Sequence, residues 1–329
     1  METFPKGLAN FERWFASEQA CRDYLSGLRW PNGFICPRCG SHKAWPISAM
    51  VSECSGCHYQ LSVIAGTIFQ DSHKPLTVWF RAIWWVTGQK NGASALGLKR
   101  MLGLGSYRTA WTWLHKLRRA MVRPGRDNLS GVVEVDETYI GGEKPGKRGR
   151  GAAGKVLVGI AVEDKGDDGI GRVRLGMLAD ASGDSLTTFV QDRIVGGSTI
   201  RTDEWVGYNR LESAGYRHVS IKKNDLKLAH LVASLLKRWL LGTHHGAVSH
   251  EHLAYYLDEY TFRFNRRTST HRGKLFLRLL ENAVQIEPVT HGKTHSACQR
   301  AQTEGPQHIG ATLVKCIPQL YKSHHCWPN

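Results

Sequence analysis

Residues 132–140 read VVEVDETYI, an apolar and β-branched run that predicts a buried strand with Asp136 near its middle. Four similar runs follow it along the chain, separated by turns rich in glycine and charged residues. They are KVLVGIAVE (155–163), RVRLGMLA (172–179), TIRTD (199–203) and YRHVSI (216–221). TIRTD, the fourth strand when VVEVDETYI is counted as the first, ends on a second aspartate, Asp203.

Helical patterns separate and follow these strands. They are SGDSLTTFVQDRI (182–194), with Ser182 or Asp184 as its cap, WVGYNRLESAG (205–215), LKLAHLVASLLKRWLLG (226–242) and HEHLAYYLDEYTFRFNRR (250–267). The predicted order is three strands, a helix, a strand, a helix and a strand. This is the order of a ribonuclease H-like fold, which is an α/β fold with a mixed sheet flanked by helices. Because its first and fourth strands are neighbours, we expect Asp136 and Asp203 to meet.

Two facing carboxylates are costly unless a cation neutralises them. Hard oxygen ligands suit Mg²⁺ or Mn²⁺, and two such ions can activate a water or a 3′-hydroxyl for phosphoryl transfer on DNA. The alternatives are that Asp136 is satisfied by backbone groups at a strand end and that Asp203 caps a helix before Trp205. The strand order, taken with the features below, favours a metal site.

Cysteine pairs dominate an earlier stretch of the chain. CPRC (36–39) and CSGC (54–57) are two CxxC knuckles, and their four thiolates satisfy tetrahedral Zn²⁺ with no open position for chemistry. Cys36, Cys39, Cys54 and Cys57 therefore predict a structural zinc ribbon; the alternative is two unrelated redox or buried pairs. The other cysteines share no such spacing and are interpreted as isolated thiols: Cys21, Cys298, Cys316 and Cys326.

The net charge of the chain is +16, from 44 Lys and Arg against 28 Asp and Glu, which indicates a polyanionic partner and favours DNA. Two helical patterns around the glycine-rich turn GLGS (103–106) resemble a helix-turn-helix, with Lys116, Arg118 and Arg119 on the second helix as candidate DNA contacts. The alternative is a plain helical hairpin packed through its tryptophans. A glycine-rich basic loop, EKPGKRGRGAAGK (143–155), adds candidate phosphate contacts at Lys144, Lys147, Arg148 and Arg150.

The organisation follows from these patterns. We expect a helical lead-in (1–32), a zinc ribbon (33–70), a helix-turn-helix-like segment (75–123), a linker (124–130), a ribonuclease H-like catalytic domain (131–287) and a tail of unknown structure (288–329). The N-terminus lacks the pattern of a signal peptide, and the most apolar stretch (76–87) is short and interrupted by Arg81, so neither export nor a membrane partner is expected. The expected compartment is the reducing cytoplasm.

Several ordered motifs from about Phe11 to Leu280 make the chain resemble the zinc-ribbon branch of the bacterial insertion-sequence transposases, which have a DDE-type ribonuclease H-like core. The motifs are QLSVIAGTIF after the knuckles, TAWTWLHKLRRAM, VEVDETYIGG, TDEWVGYNRL, SLLKRWLLGTHH and HLAYYLDEYTFRFNRR. The resemblance implies that Asp136 and Asp203 are the first two ligands of the catalytic metal, and that the protein cleaves and joins DNA at terminal inverted repeats as a homo-oligomer.

Where many relatives place Glu or Asn as the third ligand, this chain has His230, seven residues before Lys237, which by resemblance contacts DNA. Seven residues are close to two helical turns, so the two side chains share a face. Asp225 and Glu251 are the competing third ligands. A neutral imidazole supplies no negative charge and should tolerate Mn²⁺, and we expect activity to fall below about pH 6.5. The other functions considered are a non-catalytic DNA-binding regulator and a structure-specific nuclease without strand transfer.

Overall fold

The computed structural model describes residues 3–48, 50–123, 125–141, 155–244 and 248–288. Its N-terminal part begins with helices α1 (Leu8–Trp14) and α2 (Glu18–Arg29). A three-stranded antiparallel sheet follows, formed by β1 (Ala44–Pro46), β2 (Val51–Cys54) and β3 (Gln60–Ser62). Helices α3 (Leu76–Gly88), α4 (Ala95–Leu102) and α5 (Tyr107–Ala120) come next.

The second part of the chain carries the remaining elements. Its strands are β4 (Val132–Ile140), β5 (Val156–Asp164), β6 (Ile170–Leu178), β7 (Thr199–Thr202) and β8 (Arg217–Ser220). Its helices are α6 (Gly183–Gln191), α7 (Lys227–His244), α8 (His250–Phe264) and α9 (Arg272–Ala283). No helix in the described stretches combines the length and apolarity that crossing a bilayer requires.

The five strands form one mixed sheet in the order β6-β5-β4-β7-β8. Strands β4, β5 and β6 pair antiparallel, whereas β7 pairs parallel with β4 and β8 pairs parallel with β7. Apolar side chains of α7 and α8 cover one face of the sheet, and those of α6 cover the other. The predicted α/β fold with a mixed sheet between helices is confirmed, and so is the pairing of its first and fourth strands.

A separate apolar core holds the N-terminal helices together. The indole rings of Trp79 on α3 and Trp113 on α5 stack with their centroids 3.6 Å apart. The same core includes Phe276 and Leu279 of α9, so a helix from the end of the described chain completes a cluster that begins near residue 11. Between α4 and α5, Gly103 adopts φ +62°, the left-handed conformation that ends a helix and favours glycine.

The prediction of a helix over residues 205–215 is wrong. The structure has only a single 3₁₀ turn there, Val206–Tyr208. The Trp205 indole N–H donates to the carbonyl of Ala181, and the Tyr208 side chain is fully buried with its hydroxyl donating to Glu137. Because these anchors draw the chain into the sheet, a longer surface helix cannot form.

Candidate active site

Asp136 lies in the middle of β4 with its side chain only 10% exposed. Its Oδ2 atom is 3.3 Å from Nε2 of His230, which lies in the first turn of α7. These two side chains are 94 positions apart in sequence, and they meet because α7 packs across β4 on the face toward which Asp136 points. The structure therefore places a carboxylate and an imidazole side by side.

Asp203 immediately follows β7. The parallel register pairs Val132 with Thr199 and Glu134 with Arg201, and its continuation by two residues sets Asp203 level with Asp136. Neighbouring strands are about 4.8 Å apart, so both aspartates belong to one small area of the sheet.

The Asp203 carboxylate also has a local role, because its Oδ1 accepts a hydrogen bond from the Trp205 backbone N–H at 3.1 Å. This hydrogen bond closes a local turn and is not a helix cap, because the 3₁₀ turn that follows has Trp205 as its N-cap residue and no side-chain cap hydrogen bond. It occupies one of the two carboxylate oxygens. Within the described ranges, the four cysteines are the only set of three or more potential ligands whose atoms all lie within 4.8 Å of one another. The potential ligand atoms of Asp136, Asp203 and His230 therefore do not all lie within 4.8 Å of one another.

Electrostatics at Asp136 favour a cation. Burial is the largest effect on this carboxyl, and together with the negative charges of Glu137 and Asp203 it raises the pKa of Asp136 to about 6, against the lowering effects of the Glu137 backbone N–H and of His230. The pKa of Tyr208 is also raised, by burial first and then by the carboxylates of Glu137, Asp136 and Asp203. Three acidic groups therefore act on one buried region, and a cation placed there would favour their charged forms.

Glu134 positions the helix that carries His230. Its Oε2 accepts the backbone N–H groups of Leu228 and Ala229, both at 2.9 Å, at the otherwise unsatisfied N-terminus of α7. Glu134 is two residues before Asp136 in the same strand, so both side chains point to the same face. Sequence reasoning missed this residue; the available signal was a second acidic residue at a buried position of the strand.

A cleft of about 400 Å³ opens beside the Asp136–His230 pair. Lys237 lines it two turns along α7 from His230, with Ser234 between them. The expected sharing of one helix face by His230 and Lys237 agrees with this lining. Asp225 lies in an exposed 3₁₀ turn before α7 and Glu251 in the exposed first turn of α8, and neither lines the cleft.

The cysteine knuckles come together at one end of the small sheet. The Sγ atoms of Cys36 and Cys57 are 3.7 Å apart, and those of Cys39 and Cys54 are 3.6 Å apart. Four sulfurs at about 2.3 Å from a central zinc in a tetrahedron would be separated by about 3.8 Å. The four thiols therefore form a metal-binding cluster of the right size for this ion.

Comparisons with known proteins agree with this arrangement. A model of the ISXO2-like transposase domain matches residues 128–265, and a model of a transposase zinc-ribbon domain matches residues 16–60. Together the two matches cover more than half of the 329 residues. The chain thus contains an ISXO2-like transposase domain preceded by a transposase zinc-ribbon domain.

One relative of this chain comes from Halobacterium salinarum and is described as an uncharacterized protein in transposable element ISH50. It is 27% identical over an alignment of 301 positions, which covers 82% of this chain and 98% of the relative. A solved structure of a simian T-cell lymphotropic virus intasome in complex with PP2A regulatory subunit B56 gamma aligns with 56% of this chain and 70% of its own, at 13% identity and a TM-score of 0.29. That score is too low to support the fold, which rests on the strand order.

The two matched domains contain both sites. The transposase domain spans Asp136, Asp203, His230 and Lys237, and the zinc-ribbon domain spans all four knuckle cysteines. The basic loop residues Lys144, Lys147, Arg148 and Arg150 lie outside the described residues, as do Cys298, Cys316 and Cys326.

The prediction that Arg118 contacts DNA is wrong. Its side chain is buried, and its Nε donates to Glu259 Oε2 at 2.7 Å while its guanidinium lies 4.5 Å from the ring of Tyr256. A buried ion pair of this kind cannot turn outward without leaving Glu259 uncompensated. Lys116 and Arg119 are half-buried on the same helix and remain candidate DNA contacts.

Proposed function

We propose that this chain is an insertion-sequence transposase that binds the terminal inverted repeats of its element and catalyses metal-dependent cleavage and strand transfer of DNA. The observation that carries the proposal is the contact between Asp136 and His230 beside Asp203 on the neighbouring strand. The match to a transposase domain supports the reaction class, and the net charge of +16 supports a DNA substrate. By resemblance to other transposases of this kind, we expect a homo-oligomer on paired DNA ends.

Two carboxylates and one imidazole form a donor set that fits Mg²⁺ or Mn²⁺. When bound, such ions lower the pKa of a water or 3′-hydroxyl nucleophile and stabilise the leaving oxygen. Asp136 is central because it contacts His230 on one side and lies level with Asp203 on the other. In the metal-free protein the carboxylates of Glu137 and Asp203 repel that of Asp136, and a bound cation would relieve this repulsion.

The other residues have supporting roles in this proposal. Lys237 lines the cleft and would attract a DNA phosphate to it. Glu134 fixes the N-terminus of α7 and so keeps His230 against Asp136. The four cysteines would hold a structural Zn²⁺ that organises the ribbon.

The test is incubation of the full-length chain with DNA carrying the ends of its own element, in the presence of Mg²⁺ or Mn²⁺. We expect cleavage at the element ends and joined products, both lost in Asp136→Asn and Asp203→Asn. Asp167→Asn is the matched control, because Asp167 is exposed in the turn between β5 and β6 and lies outside the cleft.

The outcomes separate the competing functions. Nicks without joined products would replace the proposal with that of a nuclease. DNA binding with no metal-dependent product in the unmodified chain would replace it with that of a regulator.

A further inference from the structure

A concentration of positive charge lies apart from the catalytic cleft. The segment that follows α5, strand β6, the end of α8 and helix α9 enclose a pocket of about 400 Å³ that shares no lining residue with the cleft at Asp136. Six arginines line it: Arg123, Arg126, Arg172, Arg174, Arg266 and Arg278. The acidic lining residues are Asp127 and Glu281.

Three of the six arginines are neutralised by carboxylates. Arg123 pairs with Asp127 at 3.3 Å and Arg278 with Glu281 at 2.7 Å, so both acidic lining residues are already engaged. The third, Arg172, pairs at 2.6 Å with Glu163, which lies outside the pocket lining.

The remaining three, Arg126, Arg174 and Arg266, have no carboxylate within 4.0 Å in the described ranges of the chain. Arg174 is buried and donates to the carbonyls of Val173 and Asp127. Arg266 donates to the carbonyl of Phe262 and lies 4.1 Å from the centroid of that residue's ring.

Arg126 is half-buried, and no described residue accepts a hydrogen bond from it. The opposite charge that acts on Arg126 is that of Asp258. Burial raises the pKa of Asp258 to about 7 despite the attraction of Arg126 and Arg193, so Asp258 is a weak counter-charge.

Burying cations without counter-charge is costly, and their mutual repulsion adds to that cost. Burial, followed by the charges of Arg126 and Arg172, lowers the pKa of Arg174 to about 10. The pKa of Arg266 is lowered by burial and then by Arg278 and Arg123. Backbone hydrogen bonds give Arg174 and Arg266 a structural role, but they leave the surplus charge of the pocket without compensation.

We propose that this pocket binds phosphate groups of the DNA backbone, as a contact separate from the catalytic cleft. Guanidinium groups match phosphate oxygens in bidentate geometry, and three of them here lack an acidic partner. The first wall of the pocket includes Met121, Val122 and Arg123, which directly follow α5, the second helix of the segment expected to contact DNA. The proposal rests on the proposed function for its ligand, since DNA is the polyanion that a transposase handles.

The test compares Arg126→Gln, Arg266→Gln and the double variant with the unmodified chain in binding to a short DNA duplex across a range of salt concentrations, without added divalent metal. We expect the slope of log Kobs against log salt to become shallower by about one unit for each lost phosphate contact. Arg210→Gln is the matched control, because Arg210 is an exposed arginine paired with Asp184 outside the pocket.

Stability separates a binding role from a structural one. Because Arg126 makes no hydrogen bond with a described residue and lies among like charges, Arg126→Gln should leave the melting temperature of the DNA-free protein unchanged or raise it. A lower melting temperature, or an unchanged salt slope in both Arg126→Gln and the double variant, would overturn the proposal. Arg126→Gln keeps the test decisive if Arg266→Gln fails to fold.

A second arm tests the source of the phosphate. If inorganic phosphate raises the melting temperature of the unmodified chain and not of the double variant, while DNA binding by the two is equal, the assignment to DNA is overturned. The experiment measures binding without catalysis. If the chain is inactive but the variants show the expected salt slopes, the proposed cleavage is contradicted and the proposed phosphate-binding pocket is supported. If the chain is active but the slopes are unaltered, the pocket is contradicted and the cleavage is supported.

Discussion

At the scale of single residues, the site is defined by a carboxylate and an imidazole in contact. Asp136 is almost fully buried, whereas the His230 side chain is 36% exposed and faces the cleft. The proposed donor set therefore has two negative ligands and one neutral one. Such a site holds a divalent cation less strongly than three carboxylates would, so the contribution of His230 is measurable as metal affinity.

His230→Ala should raise the Mn²⁺ concentration that half-saturates the site by about tenfold or more, because it removes one of three ligands. Calorimetric titration of Mn²⁺ checks this without DNA, and cleavage rates at increasing Mn²⁺ should show partial rescue. His73→Ala, at an exposed position outside the cleft, is the control. An unchanged Mn²⁺ affinity in His230→Ala would remove His230 from the proposed ligand set.

At the scale of elements, the site depends on how α7 is attached to β4. The helix contributes an apolar face to the core of the sheet, and Glu134 accepts two backbone N–H groups at its N-terminus. The apolar contacts hold α7 on the sheet, while the hydrogen bonds to Glu134 set its position along β4. His230 lies one residue after Ala229, so a shift at the N-terminus would move its ring directly.

Glu134→Ala should lower the free energy of unfolding by about 1–3 kcal/mol, because it leaves buried N–H donors without an acceptor. It should also weaken Mn²⁺ binding, which a loss of stability elsewhere in the fold would not do. Glu134→Gln retains an acceptor oxygen and should restore most of both quantities. Equal Mn²⁺ affinity in Glu134→Ala and the unmodified chain, measured by calorimetry, would limit Glu134 to a structural role.

The ribbon is a second element with its own source of stability. Its short strands contribute no residue to the buried members of the three apolar cores, so the proposed zinc would supply much of its folding energy. Cys54→Ser should therefore release one zinc per chain and expose the β1–β3 amides to hydrogen exchange, while protection in β4 and β5 persists. Elemental analysis and exchange mass spectrometry measure the two effects, and Cys21→Ser, at a buried thiol outside the cluster, is the control. Full zinc retention in Cys54→Ser would contradict the predicted site.

At the scale of the whole molecule, a buried set of charged side chains joins the N-terminal helices α3 and α5 to α8, which packs on the sheet. Glu259 on α8 bonds to Arg118 on α5 and to Arg263 one turn further along α8. Arg263 also donates to the carbonyls of Val86 and Gln89 at the end of α3. The relative position of the two parts is therefore fixed partly by directional hydrogen bonds.

Glu259→Gln should destabilise the protein by about 3–5 kcal/mol, because it leaves two buried guanidinium groups without a counter-charge. Burial alone would raise the pKa of Glu259, but the charges and hydrogen bonds of Arg118 and Arg263 lower it to about 2. The stabilisation by ionised Glu259 is thus fully present above pH 4.5, which is the ordinary pKa of a glutamate. It is lost as the pH falls from 4.5 through about 2.

Urea unfolding of both proteins between pH 7 and pH 3 measures the difference in free energy. The difference in the free energy of unfolding between the two proteins should be constant down to about pH 4.5 and shrink below that value. Glu12→Gln, at an exposed position, should show little difference at any pH. A difference that grows on acidification would contradict the assigned role.

The local patterns predicted what depends on local chemistry. The alternation around Asp136, the cap at Ser182 and the CxxC spacing each specify a strand, a helix start or a ligand pair within a few residues. The helix over 205–215 failed because Trp205 and Tyr208 are anchored to distant groups, Ala181 and Glu137. Arg118 was misassigned for the same reason, since its partner Glu259 is 141 residues away.

The amino-acid sequence alone determined the strand order, the cysteine quartet, the two aspartates and the shared helix face of His230 and Lys237, because periodicity and spacing act over short distances. Tertiary structure alone decided that Glu134 anchors α7, that α9 joins the N-terminal core and that six arginines converge on one pocket. These features are contacts between segments far apart in the chain. Their energies arise from burial and charge at places where the chain folds back on itself, and no local pattern encodes them.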